Sequence, residues 1–153
     1  MNTGDKLPEV LGVDQNGNEI KASDFRGRKL VLYAYPKDNT SGCTAEACSL
    51  RDNREALAAK GYDVLGISKD SATSHQKFID KYDLNFSLIA DTDTTLLQAL
   101  GAWGEKTMCD RKCVGTLRTT FLVNEEGIVE HIFTPKQINT KTHAEQILAV
   151  IEK

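Results

Sequence analysis

The amino-acid sequence predicts an α/β fold. Segments with the periodicity of strands and of helices alternate along the chain, as in a sheet that is covered by helices. The apolar, β-branched run Leu30–Tyr35 predicts a buried central strand, and Thr140–Ile151 predicts an amphipathic C-terminal helix. The chain has 153 residues, of which 40% are hydrophobic, which is enough for one core. We therefore expect residues 1–153 to form a single domain.

The other predicted elements follow in chain order. Two short strands, Val10–Val13 and Glu19–Lys21, flank an Asn-Gly turn and predict an N-terminal β-hairpin. After Pro36, an apolar face with a glycine beyond its end predicts a helix over 43–60. The remaining predicted strands are Asp63–Ser68, Phe86–Ala90, Thr119–Val123 and Ile128–Phe133, and the remaining predicted helices are Ala72–Tyr82 and Thr94–Leu100.

Charge and hydropathy limit the classes of function. The net charge is −3, and the chain has no clustered basic patch of the kind that nucleic-acid binding needs. Its longest apolar run, Leu30–Tyr35, is much too short to cross a bilayer, and residues 1–22 lack the apolar region of a secretory signal. We expect a cytoplasmic protein that binds neither nucleic acid nor membrane. Thiols stay reduced there, so the four cysteines are expected to be catalytic, metal-bound or inert.

Cys43 is the first candidate for a reactive group. It follows a strand and a polar loop, at the point where the next helix is predicted to begin. The first turn of a helix has unpaired N–H groups and a partial positive charge, and both stabilise a thiolate. Lowering a thiol pKa from about 8.5 to about 6 takes about 3.4 kcal/mol, whereas a helix terminus supplies only about 0.3–1 kcal/mol. A further cation or strong donor is therefore required.

Two residues are candidates for that further interaction. Thr40, three residues before Cys43, has a hydroxyl that can donate a hydrogen bond to a thiolate. Arg118, at the start of a predicted strand, is the candidate cation from outside the loop. The alternative for Arg118 is that it only covers apolar surface with its stem or pairs with a carboxylate. The sequence does not show whether Arg118 approaches Cys43.

Several stretches of the chain match one known pattern. They are Pro36-x-x-x-Thr40-x-x-Cys43, its continuation through Glu46-Ala47-Cys48 and Arg51-Asp52-Asn53, and the segments Gly101–Lys106 and Gly115–Phe121. These residues resemble the peroxiredoxins, and within them the subgroup called bacterioferritin comigratory protein or peroxiredoxin Q. The resemblance covers nearly the whole chain. It departs from the subgroup at Ser41, where proline is common, so we expect a less rigid loop.

The resemblance implies a thioredoxin-like fold, with a mixed central β-sheet flanked by helices and the N-terminal hairpin as an extension. It implies a thiol peroxidase that reduces hydrogen peroxide and organic hydroperoxides through Cys43, which becomes a sulfenic acid. Pro36 would shield the site, Thr40 would orient the peroxide, and Arg118 would activate both reactants. Cys48 would resolve the sulfenic acid by forming an intramolecular disulfide with Cys43, which thioredoxin or a similar dithiol then reduces. No cofactor or metal is implied, and we expect a monomer or at most a weak dimer.

An intact helix keeps Cys43 and Cys48 apart. Ideal geometry places Cα atoms five residues apart about 8.7 Å from each other and rotated by about 140°. A disulfide needs a Cα separation of about 4.4–6.8 Å. We therefore expect the first turns of the helix to unwind after oxidation, next to Ser41 and Gly42, which lower the cost of rearrangement.

Less specific interpretations stay open for several residues. The alternative for Cys48 is a packing role, with a reaction that uses one cysteine. Cys109 and Cys113 lie where we recognise no family cysteine motif; their spacing fits two ligands on one helical face or two inert thiols, and we favour inert thiols. Glu46 is interpreted as a helix stabiliser. The three histidines are interpreted as surface or capping residues: His75, His131 and His143.

Two other functions are compatible with four cysteines. A general thiol–disulfide oxidoreductase is disfavoured because the chain has no C-x-x-C motif. A zinc-stabilised binding module would use all four cysteines, although their spacings fit zinc sites only loosely. Stoichiometric zinc in a protein that consumes no peroxide would favour the module.

Overall fold

The computed structural model describes residues 1–108 and 111–152, and for residues 107, 108, 111 and 112 it describes the backbone only. The strands are β1 Val10–Val13, β2 Glu19–Lys21, β3 Lys29–Ala34, β4 Tyr62–Ser68, β5 Ser87–Ala90, β6 Trp103–Met108, β7 Arg111–Thr116, β8 Thr119–Val123 and β9 Val129–Phe133. The helices are α1 Ser41–Asp52, α2 Arg54–Ala59, α3 Ala72–Tyr82, α4 Thr95–Leu100 and α5 His143–Ile151, with a 3₁₀ turn at Ala22–Phe25.

A mixed five-stranded sheet in the order β5-β4-β3-β8-β9 forms the centre of the fold. β3 and β4 run parallel, as do β4 and β5, whereas β8 is antiparallel to both of its neighbours, β3 and β9. β1 and β2 pair as the predicted N-terminal hairpin. The predicted α/β class and mixed central sheet are therefore confirmed.

β3 is buried on both faces because the sheet carries packed side chains on each side. Val31 and Tyr33 belong to one apolar cluster, which side chains from α1, α2, α3 and α5 complete. Leu30 and Leu32 belong to a second cluster, with side chains from β1 and α4. Successive residues of a strand point to opposite faces, so a strand between two cores reads as one continuous apolar run.

The predicted helix over 43–60 is two helices. α1 begins at Ser41, two residues earlier than predicted, and the chain leaves helical geometry at Asn53, where φ is −110° and ψ is 14°. The Asn53 side chain donates to the carbonyl oxygen of Ser49 at 2.8 Å, so it satisfies a carbonyl of the last turn of α1. α2 then restarts at Arg54. The apolar pattern continues through this break, because Leu57 of α2 packs in the same cluster as the apolar residues of α1. The pattern therefore predicted one helix where the structure has two.

The β6–β7 hairpin was not predicted from the sequence. Its strands pair antiparallel, with Gly104 opposite Gly115 and Lys106 opposite Cys113. Glycine and charged residues have low strand propensity, so no strand pattern stood out here. α5 begins at His143, later than the predicted Thr140, and the other predicted elements agree to within one residue at each end. Across residues 1–108 and 111–152, no helix has the length and apolar character needed to cross a membrane.

Candidate active site

Cys43 is the third residue of α1, after the N-terminal cap residue Thr40. This is the first turn of the helix, where the backbone N–H groups lack helical acceptors and favour negative charge. The Cys43 side chain faces inward, is 1% exposed and contacts the apolar cluster beneath α1. The predicted position of the thiol at a helix N-terminus is thus confirmed. Cys43 is buried, although a polar loop precedes it in the sequence.

Arg118, directly before β8, reaches this thiol. Its Nη2 donates to Cys43 Sγ at 3.3 Å, and its Nη1 donates to Glu46 Oε1 at 2.6 Å. The sheet register explains the approach. Thr119, the first residue of β8, pairs with Ala34, the last residue of β3. Arg118 therefore lies at the end of the sheet where the chain leaves β3 and continues to Cys43. Burial by itself would lower the pKa of Arg118, but the charges of Glu46 and Cys43 raise it, so the guanidinium stays protonated.

Glu46 completes this cluster and is fully buried. Loss of solvent raises its pKa to about 7, while the charge and the hydrogen bond of Arg118 act in the opposite direction. Its Oε2 has no hydrogen-bond partner, and His143 Nε2 lies 3.8 Å from it. The sequence-based interpretation of Glu46 as a stabiliser of the first helical turn is wrong, because Glu46 is the sixth residue of α1 and its buried carboxylate pairs with Arg118. Glu46 instead shares the Arg118 guanidinium with the Cys43 sulfur.

His143 and His75 are fully buried, and the N-terminal cap residues of their helices are Thr142 and Ser71, so the interpretation of these two histidines as surface or capping residues is wrong. His143 Nε2 lies 2.8 Å from Thr120 Oγ1, and its Nδ1 lies 3.0 Å from Gln146 Oε1. Burial lowers the pKa of His143, which favours the neutral ring beside Glu46. His131 is half-buried and packs edge-on against Phe133.

Pro36 and Thr40 lie in the loop between β3 and α1. Pro36 is half-buried, directly after the buried Tyr35. The Thr40 hydroxyl donates to the carbonyl oxygen of Lys37 at 2.9 Å and is exposed. In this conformation its proton is not directed at Cys43. To donate to a bound peroxide oxygen, the hydroxyl has to rotate away from Lys37, which a hydroxyl does freely.

Cys48 lies on the same continuous helix as Cys43, and both thiols are free. Cys43 is buried, whereas Cys48 is half-buried, in keeping with two different faces of α1. Because α1 runs unbroken from Ser41 to Asp52, the ideal separation of about 8.7 Å between their Cα atoms applies, and no disulfide can form without a change in the helix.

The other two cysteines do not lie in α1. Cys113 is half-buried in β7, opposite Lys106, and Cys109 lies outside the described residues. Within the part of the chain that the structure describes, no three His, Cys, Asp or Glu side chains form a group that could hold a metal ion. A groove of about 360 Å³ lies between β1 and α4, and none of the predicted site residues lines it. The candidate active site around Cys43 is therefore identified by the chemistry of its side chains and not by the size of a cavity.

Known proteins are similar to this chain over nearly its whole length. Residues 3–132 match the AhpC/TSA family. The chain belongs to the AhpC/TSA family. It is 38% identical over 148 residues to Peroxiredoxin Bcp of Escherichia coli strain K12, covering 97% of this chain and 94% of that protein. It is 40% identical over 139 residues to a putative peroxiredoxin Bcp of Coxiella burnetii, covering 91% of this chain and 92% of that protein.

Solved structures extend the similarity to the fold. The bacterioferritin comigratory protein of Xanthomonas campestris, studied for its alkyl peroxide reduction activity, is 30% identical with a TM-score of 0.87, covering 99% of this chain and 98% of that one. A cysteine-to-serine mutant of PrxQ from Xylella fastidiosa is 32% identical with a TM-score of 0.89, covering 99% of this chain and 96% of that one. The fold is therefore thioredoxin-like, as predicted. The chain is a peroxiredoxin of the Bcp and PrxQ group, and so an oxidoreductase with thiol peroxidase activity.

Proposed function

We propose that this peroxiredoxin reduces hydrogen peroxide and organic hydroperoxides through Cys43 and Cys48, and that a dithiol protein such as thioredoxin recycles it. We further propose that it does so as one domain spanning 1–153, as a monomer or weak dimer, in the cytoplasm. The single observation that carries the proposal is the position of Arg118, whose two terminal nitrogens donate to Cys43 Sγ and to Glu46 Oε1.

In the first step the Cys43 thiolate attacks one oxygen of the hydroperoxide. An S–O bond forms, the O–O bond breaks, and the leaving oxygen takes a proton to become an alcohol or water. Arg118 stabilises the thiolate before the attack. As the sulfur loses its negative charge, the guanidinium that faced it is free to stabilise the charge that develops on the leaving oxygen. Pro36 limits access of water, and Thr40 and the first-turn N–H groups orient the peroxide.

In the second step the Cys48 thiolate attacks the sulfenic acid sulfur of Cys43. The S–S bond forms and the hydroxide leaves as water after taking up a proton. Because α1 is continuous, its first turns unwind before this attack. A dithiol reductant then attacks the disulfide through a mixed disulfide, restores both thiols and leaves with its own disulfide, after which α1 refolds.

Three cysteine variants test the two roles. The measurement is hydroperoxide consumption coupled to thioredoxin and its reductase, together with thiol loss in a single turnover. Cys43→Ser is expected to abolish both activities, and Cys48→Ser is expected to abolish turnover with thioredoxin while the single-turnover reaction persists. Cys113→Ser is the matched control, because it removes a half-buried cysteine from β7 and is expected to leave both activities unchanged.

Two further results decide the mechanism. Peptide mapping of the oxidised protein is expected to find a bond between Cys43 and Cys48, and circular dichroism is expected to show less helix than in the reduced protein. Peroxide consumption that survives in Cys43→Ser would refute the assignment of the nucleophile. A bond between Cys43 and Cys48 with unchanged helix content would refute the proposed unwinding.

A further inference from the structure

A closed set of hydrogen bonds surrounds Asp38, in the loop between β3 and α1. The Tyr35 hydroxyl donates to Asp38 Oδ1 at 2.6 Å, and the Ser74 hydroxyl donates to Oδ2 at 2.8 Å. His75 Nδ1 lies 2.7 Å from the same Oδ2. The backbone N–H of Asp38 donates to Asp70 Oδ2 at 2.9 Å. The Asp38 side chain is therefore buried with every polar atom partnered, an arrangement that fixes a single conformation.

His75 connects this carboxylate to the central sheet. Its side chain is 0% exposed, and its Nε2 lies 2.9 Å from the carbonyl oxygen of Ile89 in β5. Because a carbonyl oxygen only accepts, Nε2 carries a proton, and the ring bridges β5 and the loop. Asp38 and His75, which we call the loop anchor, therefore attach the loop to α3 and to β5.

The loop anchor does not depend on the helix that carries Cys43. Pro36 and Thr40 lie two residues on either side of Asp38. Among the described residues, the hydrogen-bond partners of Asp38 lie directly after β3, two residues after β4 and in α3, and none lies in α1. Unwinding of the first turn of α1 therefore breaks none of these bonds.

We propose that Asp38 and His75 are positioning residues, which hold the loop from Pro36 to Thr40 in place while α1 unwinds and refolds in each cycle. The inference rests on the proposed function, since it concerns the loop that orients the peroxide. A peroxide has to align both with the loop and with the Cys43 sulfur, and a misplacement of about 1 Å costs up to about 100-fold in rate. Alkylation of the same sulfur by iodoacetamide requires the thiolate but no alignment with the loop.

The test compares these two reactions of Cys43 in Asp38→Ala. The rate constant for hydrogen peroxide is expected to fall by about 10- to 100-fold, whereas that for iodoacetamide is expected to change by less than about 3-fold. Asp38→Asn is expected to recover most of the peroxide rate. Its Oδ1 can accept from Tyr35, and its amide N–H groups can reach Ser74 and a His75 ring that keeps its proton on Nε2.

Asp14→Ala is the matched control for loss of a buried, hydrogen-bonded aspartate. Asp14 is 6% exposed and accepts from the backbone N–H groups of Asn16 and Asn18 in the β1–β2 hairpin. This variant is expected to lower stability and to leave both reactions of Cys43 unchanged. Equal losses in both reactions of Asp38→Ala, or a peroxide rate like that of the unchanged protein, would overturn the positioning role.

Hydrogen exchange separates this inference from the proposed function. In the unchanged protein, oxidation is expected to increase exchange over residues 41–47 and to leave the Asp38 amide protected. In Asp38→Ala and in His75→Asn, exchange over residues 37–40 is expected to increase even in the reduced form. Unchanged exchange over residues 37–40 in these variants would refute the loop anchor. A protein that does not consume peroxide through Cys43 would instead refute the proposed function and leave the exchange result to decide the anchor.

Discussion

Replacement of Glu46 by glutamine keeps the size of a fully buried side chain and removes its ability to ionise. Burial raises the pKa of Glu46 from the ordinary value of 4.5 to about 7, against the opposing effect of Arg118. A difference of this size between the folded and unfolded states corresponds to about 3 kcal/mol. The Glu46→Gln variant should therefore respond to pH very differently from the unchanged protein.

The sign follows from which state holds the proton. Between about pH 4.5 and about pH 7 the folded state keeps Glu46 protonated, whereas the unfolded state has lost this proton. The free energy of unfolding therefore falls as pH rises through this range, and above it the full loss of about 3 kcal/mol is present. Glu46→Gln lacks this loss. Relative to the variant, the unchanged protein should lose about 3 kcal/mol between about pH 4.5 and about pH 8.

Urea unfolding of both proteins across this range measures the difference. Glu126→Gln is the control for loss of one negative charge, because Glu126 is exposed in the β8–β9 turn. A stability difference between Glu46→Gln and the unchanged protein that stays constant with pH would refute the reasoning that Glu46 is desolvated.

Two further predictions concern Arg118 and two glycines of the β1–β2 hairpin. Arg118→Gln should slow the single-turnover reaction of Cys43 with peroxide by at least about 100-fold. Arg118→Lys should recover only part of this rate, because one ammonium group does not replace a guanidinium that donates through two nitrogens. A rate in Arg118→Gln equal to that of the unchanged protein would contradict this prediction. Gly12→Ala should lower the free energy of unfolding by more than Gly17→Ala does. Both glycines have positive φ, 135° and 80°, but an added Cβ lies 2.9 Å from Ile89 Cγ2 at Gly12 and meets open space at Gly17. Equal losses in chemical denaturation would contradict that comparison.

Local patterns predicted most of the fold. The β1–β2 hairpin follows from its Asn-Gly turn, and β3 from a run of apolar residues that suits a strand between two cores. The break at Asn53 could not be predicted in this way, because the apolar residues continue beyond it into α2. The β6–β7 hairpin gave no signal, since glycines form one of its cross-strand pairs.

The candidate site, like the fold, could be predicted from the sequence only in part. The position of Cys43 in a first helical turn could be predicted from the loop before it, but the contact with Arg118 depends on the register between β3 and β8. Glu46 lies three residues after Cys43, a spacing that places both on one face of α1, and this was the signal for its role. His75 had no comparable signal, because its ring contacts Asp38, which is far away in the sequence, and a backbone carbonyl oxygen.

The chemistry of Cys43 is tested most directly by identifying the first sulfur to be oxidised. Cys48→Ser is treated with one equivalent of hydrogen peroxide in the presence of dimedone, which captures sulfenic acids, and the labelled peptide is found by mass spectrometry. The account predicts that the label lies on Cys43 and disappears in the double variant that also carries Cys43→Ser. A label on Cys109 or Cys113 instead, or no label while peroxide is consumed, would contradict it.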